Sequence, residues 1–209
     1  VSLDQLAVDR LAITSQAGTE AANTTTFSFN ADMNWPRAVT AARQLNLALT
    51  GLNGEGEAVL ALAYDPNNDG FTLNGQVEVP DPEVMASLTG LPHPLSVTLA
   101  GEGAIANWSG AIAASLDQFV TLEAPVSLAV DRDALQLDTA LAMRFEREAP
   151  ATIRQVTEGE VNLTLSAQLA DDVIKFTDAS LSAGPLTATL VGRVPHQELT
   201  ASQLTLEAE

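Results

Sequence analysis

Asp65-Pro66-Asn67-Asn68-Asp69-Gly70 carries regularly spaced oxygen donors of the kind that bind a cation. Side-chain oxygens at the first, third and fifth positions, with glycine at the sixth, form the opening half of a calcium loop. The twelfth position is Gln76, which cannot supply the bidentate carboxylate that completes the coordination. The flanks read as strands, so the expectation is an Asp/Asn-rich hairpin turn without a metal. Gly101-Glu102-Gly103-Ala104-Ile105-Ala106 loosely matches a dinucleotide-binding fingerprint. Asn107-Trp108-Ser109-Gly110 follows it instead of a helix, so no helix N-terminus is available to hold a phosphate. His93 lies between Pro92 and Pro94, and His196 follows Pro195. Proline neighbours predict exposed turns for both, and no G-x-S-x-G elbow supplies a nucleophile. Asn23-Thr24-Thr25, Asn107-Trp108-Ser109 and Asn162-Leu163-Thr164 fit glycosylation sequons, which matter only in a eukaryotic secretory pathway. None of these constellations supports catalysis, and the chain is expected not to be an enzyme.

Composition narrows the class further. The 209 residues are 46% hydrophobic and 4% aromatic, apolar enough to fold as one segment over 1–209. There is no cysteine, which removes disulfides, thiolate metal sites and cysteine nucleophiles. Nine Lys and Arg face 27 Asp and Glu, a formal charge of −18. That balance repels phosphate backbones and anionic headgroups, so no nucleic-acid partner is expected. No cofactor or metal is implied. No signal peptide or long apolar span is visible, and the chain begins and ends within a strand pattern. It therefore reads as an internal fragment of a longer protein.

The dominant pattern is period-two alternation, the mark of strands with one buried face. Phe27, Phe29, Ala31, Met33 and Trp35 share a face, as do Phe71, Leu73, Val77 and Val79. Leu95, Val97 and Leu99 follow, then Val120, Leu122, Val126, Leu128 and Val130. Leu135, Leu137, Leu141, Met143 and Phe145 alternate with polar residues. Val161, Leu163, Leu165 and Leu169 repeat this, and Leu186, Ala188, Leu190 and Val194 close the series. About a dozen strands are predicted, separated by turns at Asn53-Gly54, Asn68-Asp69-Gly70 and Gly184-Pro185. Asn74-Gly75 falls inside a strand pattern and predicts a bulge.

Two segments read as short helices. In the first, Asp81 caps, Pro82 takes the first helical position, Val84, Met85 and Leu88 share a face, and Gly90 ends it. Pro150 to Gly159 is built alike, with Ile153 and Val156 inward. These helices expose an internal repeat. Leu62-Ala63-Tyr64-Asp65 resembles Leu128-Ala129-Val130-Asp131, and each is followed by a strand, a Pro-led helix ending in Gly, and another strand. The offset is about 64 to 68 residues. Such units would stack along one direction.

The fold class is thus all-β, a long curled sheet with an apolar interior and two short helices. A closed sheet would make its aliphatic face an ordinary core. A partly open one would leave an apolar groove suited to acyl chains. The expected lining is Leu73, Val77, Leu95, Val97, Leu99, Leu122, Leu128, Leu137, Leu141, Leu163, Leu165 and Leu190. Three functions follow from these alternatives: a lipid conduit, a scaffold pairing strand edges with client strands, or a closed adhesin-like sandwich.

Several landmarks, read in order, resemble the TamB (translocation and assembly module) family of the AsmA-like group. They are Ala31-Asp32-Met33-Asn34-Trp35-Pro36, Tyr64-Asp65-Pro66 with Gly70, and Val79-Pro80-Asp81-Pro82 leading into Ser87-Leu88-Thr89-Gly90-Leu91-Pro92. Leu99-Ala100-Gly101-Glu102-Gly103, Asn107-Trp108-Ser109-Gly110, Glu158-Gly159-Glu160-Val161-Asn162-Leu163 and Leu181-Ser182-Ala183-Gly184 continue the series. The likeness covers most of residues 24 to 195 and rests on order and spacing. The chain departs from the family pattern in Asn34 before Trp35 and in Thr89 where Leu is usual. The resemblance implies a periplasmic β-groove segment of an inner-membrane-anchored protein of the Gram-negative envelope. Its implied partners are phospholipid and, through parts outside this segment, a TamA-like outer-membrane barrel. Carriage of phospholipid between membranes and assistance to outer-membrane protein assembly are the implied roles, with no catalytic residue.

Overall fold

Alternating aliphatic and polar residues, cut by Asx and glycine turns, build an almost wholly β structure in the computed structural model. It describes residues 5–15, 23–36, 38, 40–51, 56–104, 106–131, 134–170, 173–195 and 203–208. The strands are β1 (Gln5–Ser15), β2 (Asn23–Asn34), β3 (Arg43–Gly51), β4 (Glu57–Asp65), β5 (Gly70–Val79), β6 (Leu95–Ala104) and β7 (Asn107–Leu116). They continue as β8 (Val120–Asp131), β9 (Ala134–Phe145), β10 (Glu160–Ala170), β11 (Val173–Ala183), β12 (Leu186–Pro195) and β13 (Gln203–Ala208). Helix α1 (Pro82–Thr89) joins β5 to β6, and α2 (Ala151–Val156) joins β9 to β10. The order β4-β5-α1-β6 therefore recurs as β8-β9-α2-β10, matching the internal likeness of the sequence.

The chain divides into two compact units, Val1–Glu102 with Ala114–Asp117, and Gly103–Ala113 with Gln118–Glu209. In each, strands lie in chain order, β1 to β6 in the first and β8 to β13 in the second. The fold is an open antiparallel sheet architecture, because order follows sequence and no described pair joins a late strand back to an early one.

Register carries the apolar pattern from strand to strand. In the first unit Phe29 faces Leu49, Leu49 faces Ala58, and Ala58 faces Val77. The next row runs Ala31, Leu47, Leu60 and Gly75. The pairing of β4 with β5 is unbroken from Glu57–Glu78 to Asp65–Gly70, so the expected bulge at Asn74-Gly75 does not interrupt this pair. A Cβ at Gly75 would stand 3.4 Å from Leu60 Cδ1 and 3.5 Å from Leu99 Cβ, ordinary van der Waals contact with the flanking leucines.

In the second unit Leu128 faces Leu137, which faces Ala167, while Leu141 faces Leu163, which faces Leu181. A shift of register between Ser166 and Ala167 bulges β11 near Thr177. The bulge returns Phe176 and Ile174 to the face that carries Ala179, Leu181 and Ala183. The opposite face is knit by polar rungs. Asp138 accepts from Ser166 Oγ at 2.6 Å and from Gln136 Nε2 at 2.9 Å, and Thr164 bonds Ser180.

Helix α1 follows its sequence signature. Asp81 Oδ1 accepts from the Glu83 N–H at 2.8 Å, and Gly90 closes the helix in the left-handed region with φ of 79°. Met85 is buried at 2% exposure and Val84 is half-buried. The Leu88 side chain lies outside the described residues. Helix α2 differs from expectation. Ile153 is 36% and Val156 52% exposed, and no residue of the helix is buried. Six residues make fewer than two turns and give no continuous stripe to bury, and the preceding Ala149 takes the inward position instead. His93 is half-buried in the connection before β6, where an exposed turn is expected. His196 and Asn53-Gly54 lie outside the described residues.

Candidate functional site

The site grows from the inward rows of the first unit. Phe29 of β2, Leu47 and Leu49 of β3, Ala58 and Leu60 of β4, Gly75 and Val77 of β5, and Val97 and Leu99 of β6 line one cleft of about 300 Å³. Strands spaced about 4.8 Å apart place β2 and β6 about 19 Å apart on a flat sheet. Side chains from both meet around one small volume, so this unit's sheet curls toward its apolar face. The lining is half-buried throughout and aliphatic apart from Phe29. Three outward-facing neighbours, Ala48, Val59 and Gln76, also touch the cleft.

Three of the expected lining residues, Val77, Val97 and Leu99, are in this cleft. Leu73 stands one row away, opposite Leu62, and Leu95 is half-buried at the start of β6. The other seven belong to the second unit: Leu122 and Leu128 on β8, Leu137 and Leu141 on β9, Leu163 and Leu165 on β10, and Leu190 on β12. All seven are half-buried on a single apolar face. Val130, Leu135 and Leu169 continue that face in register with exposures of 41%, 38% and 37%. Ala124, Ala167, Ala179, Ala183 and Val194 of the second unit's face are buried, while among the described residues no side chain is less than 2% exposed.

Sequence reasoning passed over Phe29, Leu47, Leu49, Ala58, Leu60 and Gly75 as lining. The signal was legible, since Leu45, Leu47 and Leu49 and then Ala58, Leu60 and Leu62 alternate with the same period of two. Arg43 was also missed. It continues the parity of Leu45 and Leu47, and it pairs in register with Tyr64, which pairs with Phe71. The Arg43 guanidinium sits 4.9 Å from the centre of the Trp35 ring and 5.9 Å from that of Tyr64.

The acidic turn beside Tyr64 is a hairpin turn braced by its own side-chain hydrogen bonds. Asp65 Oδ1 accepts from the Asn67 N–H at 3.0 Å and from Asn67 Nδ2 at 2.9 Å, and Asn68 Oδ1 accepts from the Gly70 N–H at 2.8 Å. Among the described residues no group of three or more His, Asp or Glu side chains converges on a metal position. Tyr64 donates its O–H to Asp69 Oδ1 at 2.9 Å, and that carboxylate raises the Tyr64 pKa above its ordinary value near 10. The bond needs a protonated phenol. Its stabilising effect is therefore present below the unfolded-state pKa and lost as pH rises through the raised folded-state value. Tyr64 is the sole tyrosine. An ultraviolet absorbance titration should thus give one midpoint above that of free tyrosine, and Asp69→Asn should move it downward.

Gly101 to Ala104 lie in strand β6 and turn directly into β7, which removes the dinucleotide reading. No helix among the described residues is long and apolar enough to cross a membrane. The fold and cleft together define a class: an antiparallel β-sheet protein with strands in chain order and a curled, apolar cleft in its first unit. No known protein family, curated protein or solved structure matches the chain.

Proposed function

We propose that this chain is a periplasmic groove segment of a TamB-like, AsmA-like envelope protein anchored in the inner membrane. Its apolar faces sheathe phospholipid acyl chains on their way between inner and outer membranes. The observation that carries the reading is the aliphatic cleft across β2 to β6, whose inward lining is only half-buried. Each methylene moved from water onto such a surface contributes about 0.8 kcal/mol, so part of one acyl chain gives useful affinity without polar anchors. The residues supply apolar area and do no chemistry. The half-buried aliphatic face around Leu137 would give the second unit the same capacity.

Photo-crosslinking in cells tests this, with a benzophenone amino acid replacing Leu137 in the full-length protein. Phospholipid adducts are the expected result. Adducts to nascent outer-membrane proteins would replace the conduit with a scaffold for barrel assembly. Crosslinks confined to the chain itself would mean that this face is sealed, and the reading would be abandoned.

A further inference from the structure

The cleft of the first unit is apolar along its length, but the face it belongs to ends in charge. Arg43 stands on that face four residues before Leu47, about 13 Å along the strand. Leu45 and Leu62 fill the row between, so apolar surface is continuous from the arginine to the cleft. The guanidinium is steadied by Trp35 and Tyr64, and its buried Nε has no hydrogen-bond partner. Trp35 is 51% exposed, so this end of the face opens to solvent. A planar cation held against aromatic rings keeps its edge for a phosphate or carboxylate oxygen. Beyond Tyr64 lies the opposite charge, in Asp65 and Asp69 of the hairpin turn. Each already accepts a hydrogen bond, but a carboxylate has about four acceptor positions.

A headgroup matching this end therefore carries both signs. The chain's charge of −18 also disfavours a net-anionic lipid. We propose that Arg43 receives the phosphate of a zwitterionic phospholipid, with its ammonium toward the Asp65–Asp69 turn and its acyl chain along Leu45, Leu62 and the cleft. This inference rests on the lipid-groove reading and adds to it the headgroup class and the direction of the lipid.

The test uses the purified chain and the neutral dye N-phenyl-1-naphthylamine as a reporter of the apolar surface. Three ligands of equal chain compete with it: lauroyl lysophosphatidylethanolamine, lauroyl lysophosphatidylglycerol and monolaurin, which lacks the phosphate. The zwitterionic lipid is expected to compete about tenfold better than monolaurin, the scale of one charge-assisted contact, and better than the anionic lipid. Arg43→Gln should erase the advantage over monolaurin while dye binding persists. In the unmodified chain the same advantage should shrink at high salt, a check that requires no variant. Equal competition by lysophosphatidylethanolamine and monolaurin, or an advantage that survives Arg43→Gln, would overturn the Arg43 assignment alone. A stronger anionic competitor would overturn its zwitterionic character. If neither dye nor any lipid binds, the groove reading itself fails.

Discussion

Replacing Leu60 with arginine is expected to weaken binding of a neutral apolar probe to the first unit at least about tenfold, while the chain stays folded. Leu60 lies between Leu47 and Gly75 in the ladder, and its side chain meets the space that Gly75 leaves open. An arginine there sets a charge that an incoming acyl chain would have to strip of water. The protein itself avoids that cost, because the site is half-buried and the long side chain can carry its head to solvent. Partial loss of one leucine's burial costs about 1–2 kcal/mol. Probe titration and thermal unfolding measure the two effects separately. Retained probe binding would show that the cleft is not the site. Outright unfolding would show that Leu60 belongs to a sealed core. Either result removes the main support for a lipid groove in this unit.

The largest loss of stability is expected at Gly103, where alanine should cost about 3 kcal/mol or more. Gly103 holds φ of 146°, a region that side chains rarely enter. An added Cβ would stand 2.5 Å from Asn107 O and 2.9 Å from Trp108 Cα, both backbone atoms that cannot swing aside. Trp108 is 6% exposed, so a shift of this hairpin also disturbs one of the few buried large side chains. Gly75→Ala is the control. Its φ is ordinary for a strand and its new neighbours would lie at van der Waals distance, so its denaturation midpoint should barely move. Equal midpoints for the two variants would disprove the close approach of backbone at Gly103.

Much of this architecture was legible from local pattern. Asp81, Pro82 and Gly90 framed α1 correctly, because capping is decided within a few residues. The alternation around Leu137 and Leu163 announced β9 and β10, whose pairing runs without a slip. Where local pattern was broken, reading failed. Strand β11 was missed because its bulge near Thr177 moves the apolar set from even to odd positions. The bulge assigned to Asn74-Gly75 rested on turn chemistry, but the uninterrupted pairing of β4 and β5 outweighed it. Ile153 and Val156 had helical spacing, yet burial depends on what lies opposite, and no residue of α2 is buried.

The sequence by itself determined the all-β class, the acidic surface, one capped helix and the division of each strand into an aliphatic and a polar side. These follow from backbone sterics and a period of two, which act over a few residues. The curl of the first unit's apolar face into a cleft, and the placing of Arg43 at its end beside Trp35 and Tyr64, emerge from three-dimensional packing. Those outcomes depend on strand curvature and on register between residues far apart in the chain. The spacing of residues along a strand encodes neither, and side chains on neighbouring strands fix both.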